Sequence, residues 1–274
     1  MKQVILAEKA GFCYGVKRAI ELTKKVDSPA FTLGELIHNP QMVAKLEQQG
    51  ITCAQNLSEV PEGSTLIIRA HGVSDQVLEQ AKQKKLQIVN ATCPFVSKVH
   101  VLAKKLETEG WQPVLLGEKG HPEVIGIIDN LKNPILVSNL EGAKKVQQFP
   151  KIGLVSQTTQ SHRLFNQIKA ELQKHCQELK AIDTICDATN SPQQAAANLA
   201  KQVDFMVIIG GQASGNTKRL YEICREIVPS IKIETVKELP LEKIQPYQKI
   251  GITAGASTPD WLIQEVIDKI KKIG

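Results

Sequence analysis

Aromatic residues are scarce in this chain, 4% of 274, and its net charge of +6 is spread rather than concentrated. Nucleic-acid surfaces combine clustered cations with stacking rings, so no nucleic-acid partner is expected. No run nears the roughly 18 uninterrupted apolar residues of a membrane span. The opening M-K-Q-V-I-L-A-E-K-A meets charge too soon for the apolar stretch of a secretion signal. Neither a P-loop nor a complete G-x-G-x-x-G is present, so neither ATP nor NAD is indicated. There is no C-x-x-C pair, the usual spacing of structural zinc. These absences predict a cytoplasmic protein with no membrane partner. In that reducing compartment, six cysteines serve as ligands, nucleophiles or buried thiols rather than disulfides. The modest positive balance suits an anionic small molecule or an acidic redox partner.

What the chain does have is three cysteines in turns that follow apolar runs. Cys13 lies in A-G-F-C-Y-G, Cys93 in N-A-T-C-P-F and Cys186 in D-T-I-C-D-A-T, roughly 80 to 95 residues apart. Cys53, Cys176 and Cys224 fall within strand or helix patterns and read as small buried hydrophobes. Three lone thiolates from separate loops suit an iron–sulfur cluster with one iron left open, and backbone N–H groups of such turns tune its potential. Ordinary packing is the competing reading.

Short β-branched runs alternate with helical stretches, which predicts α/β architecture with mainly parallel sheets. Strands are expected at Val4–Ala7, Leu66–Arg69, Gln87–Ala91, Pro113–Leu116, Ile135–Ser138, Ile152–Ser156, Ala181–Ile185, Phe205–Ile209, Ile231–Thr235 and Ile250–Thr253. Nine loops after apolar runs carry chemistry, in three sets that each open with a cysteine: Cys13, His38, His71; Cys93, His121, Thr158; and Cys186, Asn216, Ser257. The spacing predicts three similar modules, residues 1–92, 93–185 and 186–274, with strand ends facing a shared centre.

His38, His71 and His121 sit beside glycine or proline in such loops. Converging imidazoles can grip phosphate oxygens, with zinc binding as the rival. His100, His162 and His175 fall in helical patterns and read as satisfied surface histidines. Ser214-Gly215-Asn216-Thr217 and Ala254-Gly255-Ala256-Ser257 have the composition of an anion cradle, or of simple helix caps. Glu123 is the best-placed carboxylate for proton transfer, and the Thr158 hydroxyl can orient substrate or relay a proton. A merely solvated Glu123 is the alternative.

Together, A-G-F-C-Y-G-V-K-R-A, H-N-P, R-A-H-G-V, A-T-C-P-F-V, G-H-P-E-V-I-G, S-Q-T-T, T-I-C-D-A-T, S-G-N-T-K-R-L and T-A-G-A-S-T-P resemble the 4-hydroxy-3-methylbut-2-enyl diphosphate reductases, in order and over nearly the whole chain. The resemblance implies a pseudo-three-fold trefoil around a 4Fe–4S cluster held by Cys13, Cys93 and Cys186. It implies diphosphate binding by His38, His71, His121, Ser214, Asn216 and Ser257. Glu123, His121 and Thr158 would act at the substrate hydroxyl. The products would be isopentenyl and dimethylallyl diphosphate, and the electron donor a protein such as ferredoxin or flavodoxin. Quinolinate synthase, also of three modules with three cysteines, and a non-enzymatic cluster carrier are the rivals.

Overall fold

A computed structural model describes residues 2–37, 39–212 and 214–272, apart from the side chains of Thr189 and Asn190. The chain is α/β. It opens on β1 (Gln3–Leu6). A first complete sheet follows from β2 (Ala30–Leu33), β3 (Ile51–Ala54), β4 (Thr65–Ile68) and β5 (Gln87–Asn90), ordered β3-β2-β4-β5. The next comprises β6 (Gln112–Leu116), β7 (Ile135–Val137), β8 (Phe149–Ser156) and β9 (Cys176–Ala181), ordered β7-β6-β8-β9. The last contains β10 (Phe205–Ile209), β11 (Ser230–Ile233) and β12 (Lys249–Ala254), and β1 completes it in the order β1-β12-β10-β11. Every pairing is parallel.

The placement of β1 corrects the expected module frame. Gln3–Leu6 does not open a module of residues 1–92; it pairs with β12, Val4 opposite Ile250 and Leu6 opposite Ile252. Val4 packs on the core formed by Ile250, Ile252 and Val207, which the strand could not reach from another sheet. In each sheet the strand leading to a cysteine stands at one edge: β5 before Cys93, β9 before Cys186 and β1 before Cys13. A cysteine therefore closes each repeat instead of opening it.

Two strands absent from the expectation, β2 and β3, are four residues each, A-F-T-L and I-T-C-A. Runs this short carry little periodicity, and their pairing supplies the missing information. The strand expected at Ala181–Ile185 ends at Ala181. Beyond it the Thr184 hydroxyl substitutes for ladder bonds, accepting from the Ser156 N–H at 2.8 Å and donating to the Ser156 carbonyl at 2.6 Å.

The chain divides into two compact units, one of Met1–Lys17, Ile37–Leu46 and Asp187–Gly274, the other of Arg18–Leu36 and Glu47–Cys186. In the second unit, sheet β7-β6-β8-β9 is buried on both faces, as parallel sheets require. Val114, Leu116, Ile152 and Leu154 face Phe165, Ile168 and Leu172, while Leu115 and Val155 face Val99, Ala103 and Leu106. In the first unit Val207 and Ile209 pack with Ile250 and Val266, and Met206 and Ile208 with Ala196 and Leu220.

At Gly153 the backbone of β8 approaches Leu106 so closely that an added Cβ would lie 2.9 Å from both Leu106 δ-carbons. Gly153→Ala should destabilise by about 1–3 kcal/mol through overpacking. Combined with Leu106→Ala, the loss should be smaller than the sum of the two single changes. Urea unfolding of the three variants measures this, and strict additivity would contradict the close approach.

Candidate active site

Parallel α/β sheets present ligand-binding loops at the carboxyl ends of their strands. In the Arg18–Leu36 and Glu47–Cys186 unit, β4 runs into the turn Arg69-Ala70-His71-Gly72. The Gly72 N–H donates to the Arg69 carbonyl at 3.0 Å, and Gly72 adopts a φ of 74°. A Cβ there would lie 3.1 Å from Thr92 Cγ2. Backbone angle and space both call for glycine.

From β6 the chain passes to His121, which caps the helix Pro122–Ile128. His121 Nδ1 accepts the Glu123 N–H at 3.1 Å, which assigns the ring proton to Nε2. The rings of His71 and His121 meet edge to face, centroids 5.4 Å apart. The structure thus brings together two histidines from two different sheets.

Glu123 is 1% exposed. Thr158, after β8, holds both its oxygens: the backbone N–H donates to Oε1 at 2.7 Å and Oγ1 to Oε2 at 2.8 Å. Burial raises the carboxyl pKa from 4.5 to about 7, outweighing the two Thr158 bonds, which favour the ionised form. The solvated alternative for Glu123 is thereby overturned. The Thr158 carbonyl accepts the Cys186 N–H at 2.8 Å, linking carboxyl, hydroxyl and cysteine turn. Cys93 donates its N–H to the Ala70 carbonyl, beside His71, at 2.9 Å and precedes the helix Pro94–Thr108.

The other unit repeats the device. Cys13 donates its N–H to the carbonyl of Ala256, beside Ser257, at 3.1 Å. An open cavity of about 1160 Å³ adjoins this turn, lined by Gly11, Cys13, Tyr14, Asp187 and Asn198 among others. Ser214 caps the helix Gly215–Arg225, its Oγ accepting the Thr217 N–H at 3.3 Å. Both amide atoms of Asn216 are buried with no hydrogen-bond partner among the described residues. A desolvated amide with both ends unmet is fitted to a polar ligand. His38 lies outside the described residues. Its neighbour Asn39 is buried and accepts the Met42 N–H at 2.8 Å.

Cys13, Cys93 and Cys186 are all partly exposed. Among the described residues, no three His, Cys, Asp or Glu side chains are gathered as a ready metal site. Three residues had no role in the sequence reading. Arg18 Nη1 donates to the Thr92 carbonyl, next to Cys93, at 3.1 Å. His100, expected at the surface, has a buried Nε2, and its Nδ1 meets Asn130 Nδ2 at 2.9 Å. Within a single sequence the only signal for Arg18 is its place in G-V-K-R-A.

A profile of the LytB protein family matches residues 4–271. The chain belongs to the LytB family. A relative from Aquifex aeolicus named 4-hydroxy-3-methylbut-2-enyl diphosphate reductase is 43% identical over 282 residues, covering 100% of this chain and 97% of that protein. One of the same name from Clostridioides difficile is 40% identical, covering 98% and 99%. A solved structure described as this reductase, the terminal enzyme of the non-mevalonate pathway, matches with a TM-score of 0.80 and 42% identity over 99% of this chain and all of that one. A Plasmodium falciparum reductase structure matches at 0.89 and 33% identity, covering 98% of this chain and 87% of that one. Three parallel four-stranded sheets with interleaved helices are the fold of this LytB chain and of these structures. Among the described residues no helix is long and apolar enough to cross a membrane.

The raised pKa of Glu123 has a consequence for stability. Between 4.5 and about 7 the folded protein keeps a proton on Glu123 that the unfolded chain releases. This contribution is therefore full below 4.5 and is lost as pH rises through about 7. Glu123→Gln should flatten the stability slope in that window, measured by urea unfolding; an unchanged slope would place the titration elsewhere.

Proposed function

We propose that this chain reductively removes the allylic hydroxyl of 4-hydroxy-3-methylbut-2-enyl diphosphate, forming isopentenyl and dimethylallyl diphosphate in isoprenoid biosynthesis. The observation that carries the reading is the buried Glu123, poised to hold or give a proton at neutral pH and gripped by Thr158. A leaving hydroxyl needs such a proton, and a permanently ionised surface carboxylate supplies it poorly. The relatives' shared name supplies the substrate class.

The donor set suits a 4Fe–4S cluster. Cys13, Cys93 and Cys186 offer three soft thiolates on partly exposed turns, each turn pinned by its own peptide N–H. In this reading Cys13, Cys93 and Cys186 hold the cluster. When bound, such a cluster supplies single electrons and an open Lewis-acidic iron. The electrons come from a donor protein such as ferredoxin or flavodoxin, in the cytoplasm.

The chain's own residues do the rest. His71 and His121, with His38, Ser214, Asn216 and Ser257, bind the diphosphate. The His121 Nε2–H and the unmet Asn216 amide supply hydrogen bonds to its oxygens. This grip, remote from the reacting carbon, orients the hydroxyl toward Thr158. Protonated at Oε2, Glu123 donates to Thr158 Oγ1, whose own proton then turns toward the hydroxyl. Thr158 so passes the proton and Glu123 replaces it. The Thr158 backbone N–H stays on Oε1 throughout and fixes the carboxyl.

The test is anaerobic. Reduced, cluster-reconstituted protein should be reoxidised on adding the substrate and release both isoprenoid diphosphates. A loaded protein that stays reduced would discard the reaction and direct the search to quinolinate synthesis. Glu123→Gln should retain iron and lose about a hundredfold or more in turnover. In a second test, serine in place of Cys13, Cys93 or Cys186 should sharply lower bound iron, while Cys53→Ser should not. Equal iron in all four variants would refute the ligand set.

A further inference from the structure

Within the Arg18–Leu36 and Glu47–Cys186 unit, the turn carrying His71 and the helix carrying Glu123 belong to different sheets. Their register must be set by something other than strand pairing. Behind both lies His100, on the helix Pro94–Thr108. Its imidazole fills a slot between two glycines. A Cβ at Gly72 would lie 3.4 Å from His100 Nε2, and a Cβ at Gly126 would lie 3.4 Å from His100 Cε1. Gly72 directly follows His71, and Gly126 lies three residues after Glu123 on the helix Pro122–Ile128.

The polar side of the ring is also engaged. Asn130, just past that helix, accepts the Asp75 N–H on Oδ1 at 2.7 Å, at the start of the helix Asp75–Gln83. That bond fixes the amide orientation, so Nδ2 is the donor that meets His100 Nδ1 at 2.9 Å. Nδ1 is then the acceptor and the ring proton sits on Nε2, toward the Gly72 turn. Burial, and then the Lys104 charge, depress the His100 pKa against the opposing pull of Asp75, which keeps the ring neutral and Nδ1 able to accept. Lys104 and Asp75 form an ion pair across the same junction.

We propose that His100 and Asn130 are positioning residues: their half-buried hydrogen-bonded pair, wedged against Gly72 and Gly126, sets the register between the His71 turn and the His121–Glu123 helix start. The proposal rests on the reductase reading for what those loops do. Misplacement by about an ångström costs as much as a hundredfold in rate, so a device behind the loops can govern turnover without touching substrate.

His100→Leu fills the slot without an acceptor, and Asn130→Ala removes the donor. His100→Asn returns an acceptor near the Nδ1 position. Each reconstituted variant is assayed for iron per chain, affinity for inorganic pyrophosphate and steady-state kinetics. His100→Leu and Asn130→Ala should each lower kcat about tenfold and weaken pyrophosphate binding several-fold at unchanged iron content, and the double variant should be no worse than the poorer single. His100→Asn should recover most of the loss. Should His100→Leu fail to fold, Asn130→Ala against His100→Asn gives the same comparison. Losses that multiply, a His100→Asn protein as poor as Asn130→Ala, or wild-type parameters throughout would each overturn the proposal. If the wild-type protein neither binds pyrophosphate nor turns over substrate, the reductase reading fails instead. The register is then read from the ring nitrogen resonances of His71 and His121. Movement of both in Asn130→Ala upholds the positioning role, and no movement overturns it.

Discussion

Each cysteine turn hangs by its peptide N–H from a carbonyl in the neighbouring polar loop: Cys13 from Ala256, Cys93 from Ala70 and Cys186 from Thr158. Parallel pairing makes this possible, because adjacent strands end at the same edge of the sheet and their loops lie side by side. The same contact joins each thiol-bearing turn to a polar loop of the candidate site. Ala256 precedes Ser257, Ala70 precedes His71, and Thr158 itself clamps Glu123. A rigid sheet edge thereby supplies the preorganisation that loops alone would lack.

Glu123 illustrates what such an edge can hold. Full burial of a carboxyl opposes ionisation, while two bonds from Thr158 favour it. Burial prevails, leaving a pKa of about 7, where the group exchanges protons readily under neutral conditions. The Thr158 bonds keep the carboxyl in one geometry through either protonation state, and the bond from Cys186 keeps Thr158 in place. Carboxyl, hydroxyl and cysteine turn are thus coupled through the single residue Thr158.

Much of the candidate site was legible as strand-end loops because turn chemistry is local. Glycine, proline and threonine beside Cys13, Cys93 and Cys186, and G-H-P-E around His121 and Glu123, announce strand-end loops from a few residues alone. The strong strands at Leu66–Ile68 and Phe205–Ile209 were equally readable from their apolar runs. Weak strands were not. Ala30–Leu33 and Ile51–Ala54 gain their identity only by pairing with each other and with β4. His100 was misjudged because helical spacing says nothing of what packs on a helix, here Gly72 of a turn and Gly126 of another helix.

By itself the sequence determined the α/β class and the turns that carry Cys13, Cys93, Cys186 and Glu123, because these follow from residue type and spacing along a few turns of chain. Only the tertiary structure decided that β1 completes the last sheet, that Glu123 is buried against Thr158, and that His71 meets His121. These are contacts between residues far apart in the chain. Their existence depends on loop closure and burial across whole sheets, which no local pattern encodes.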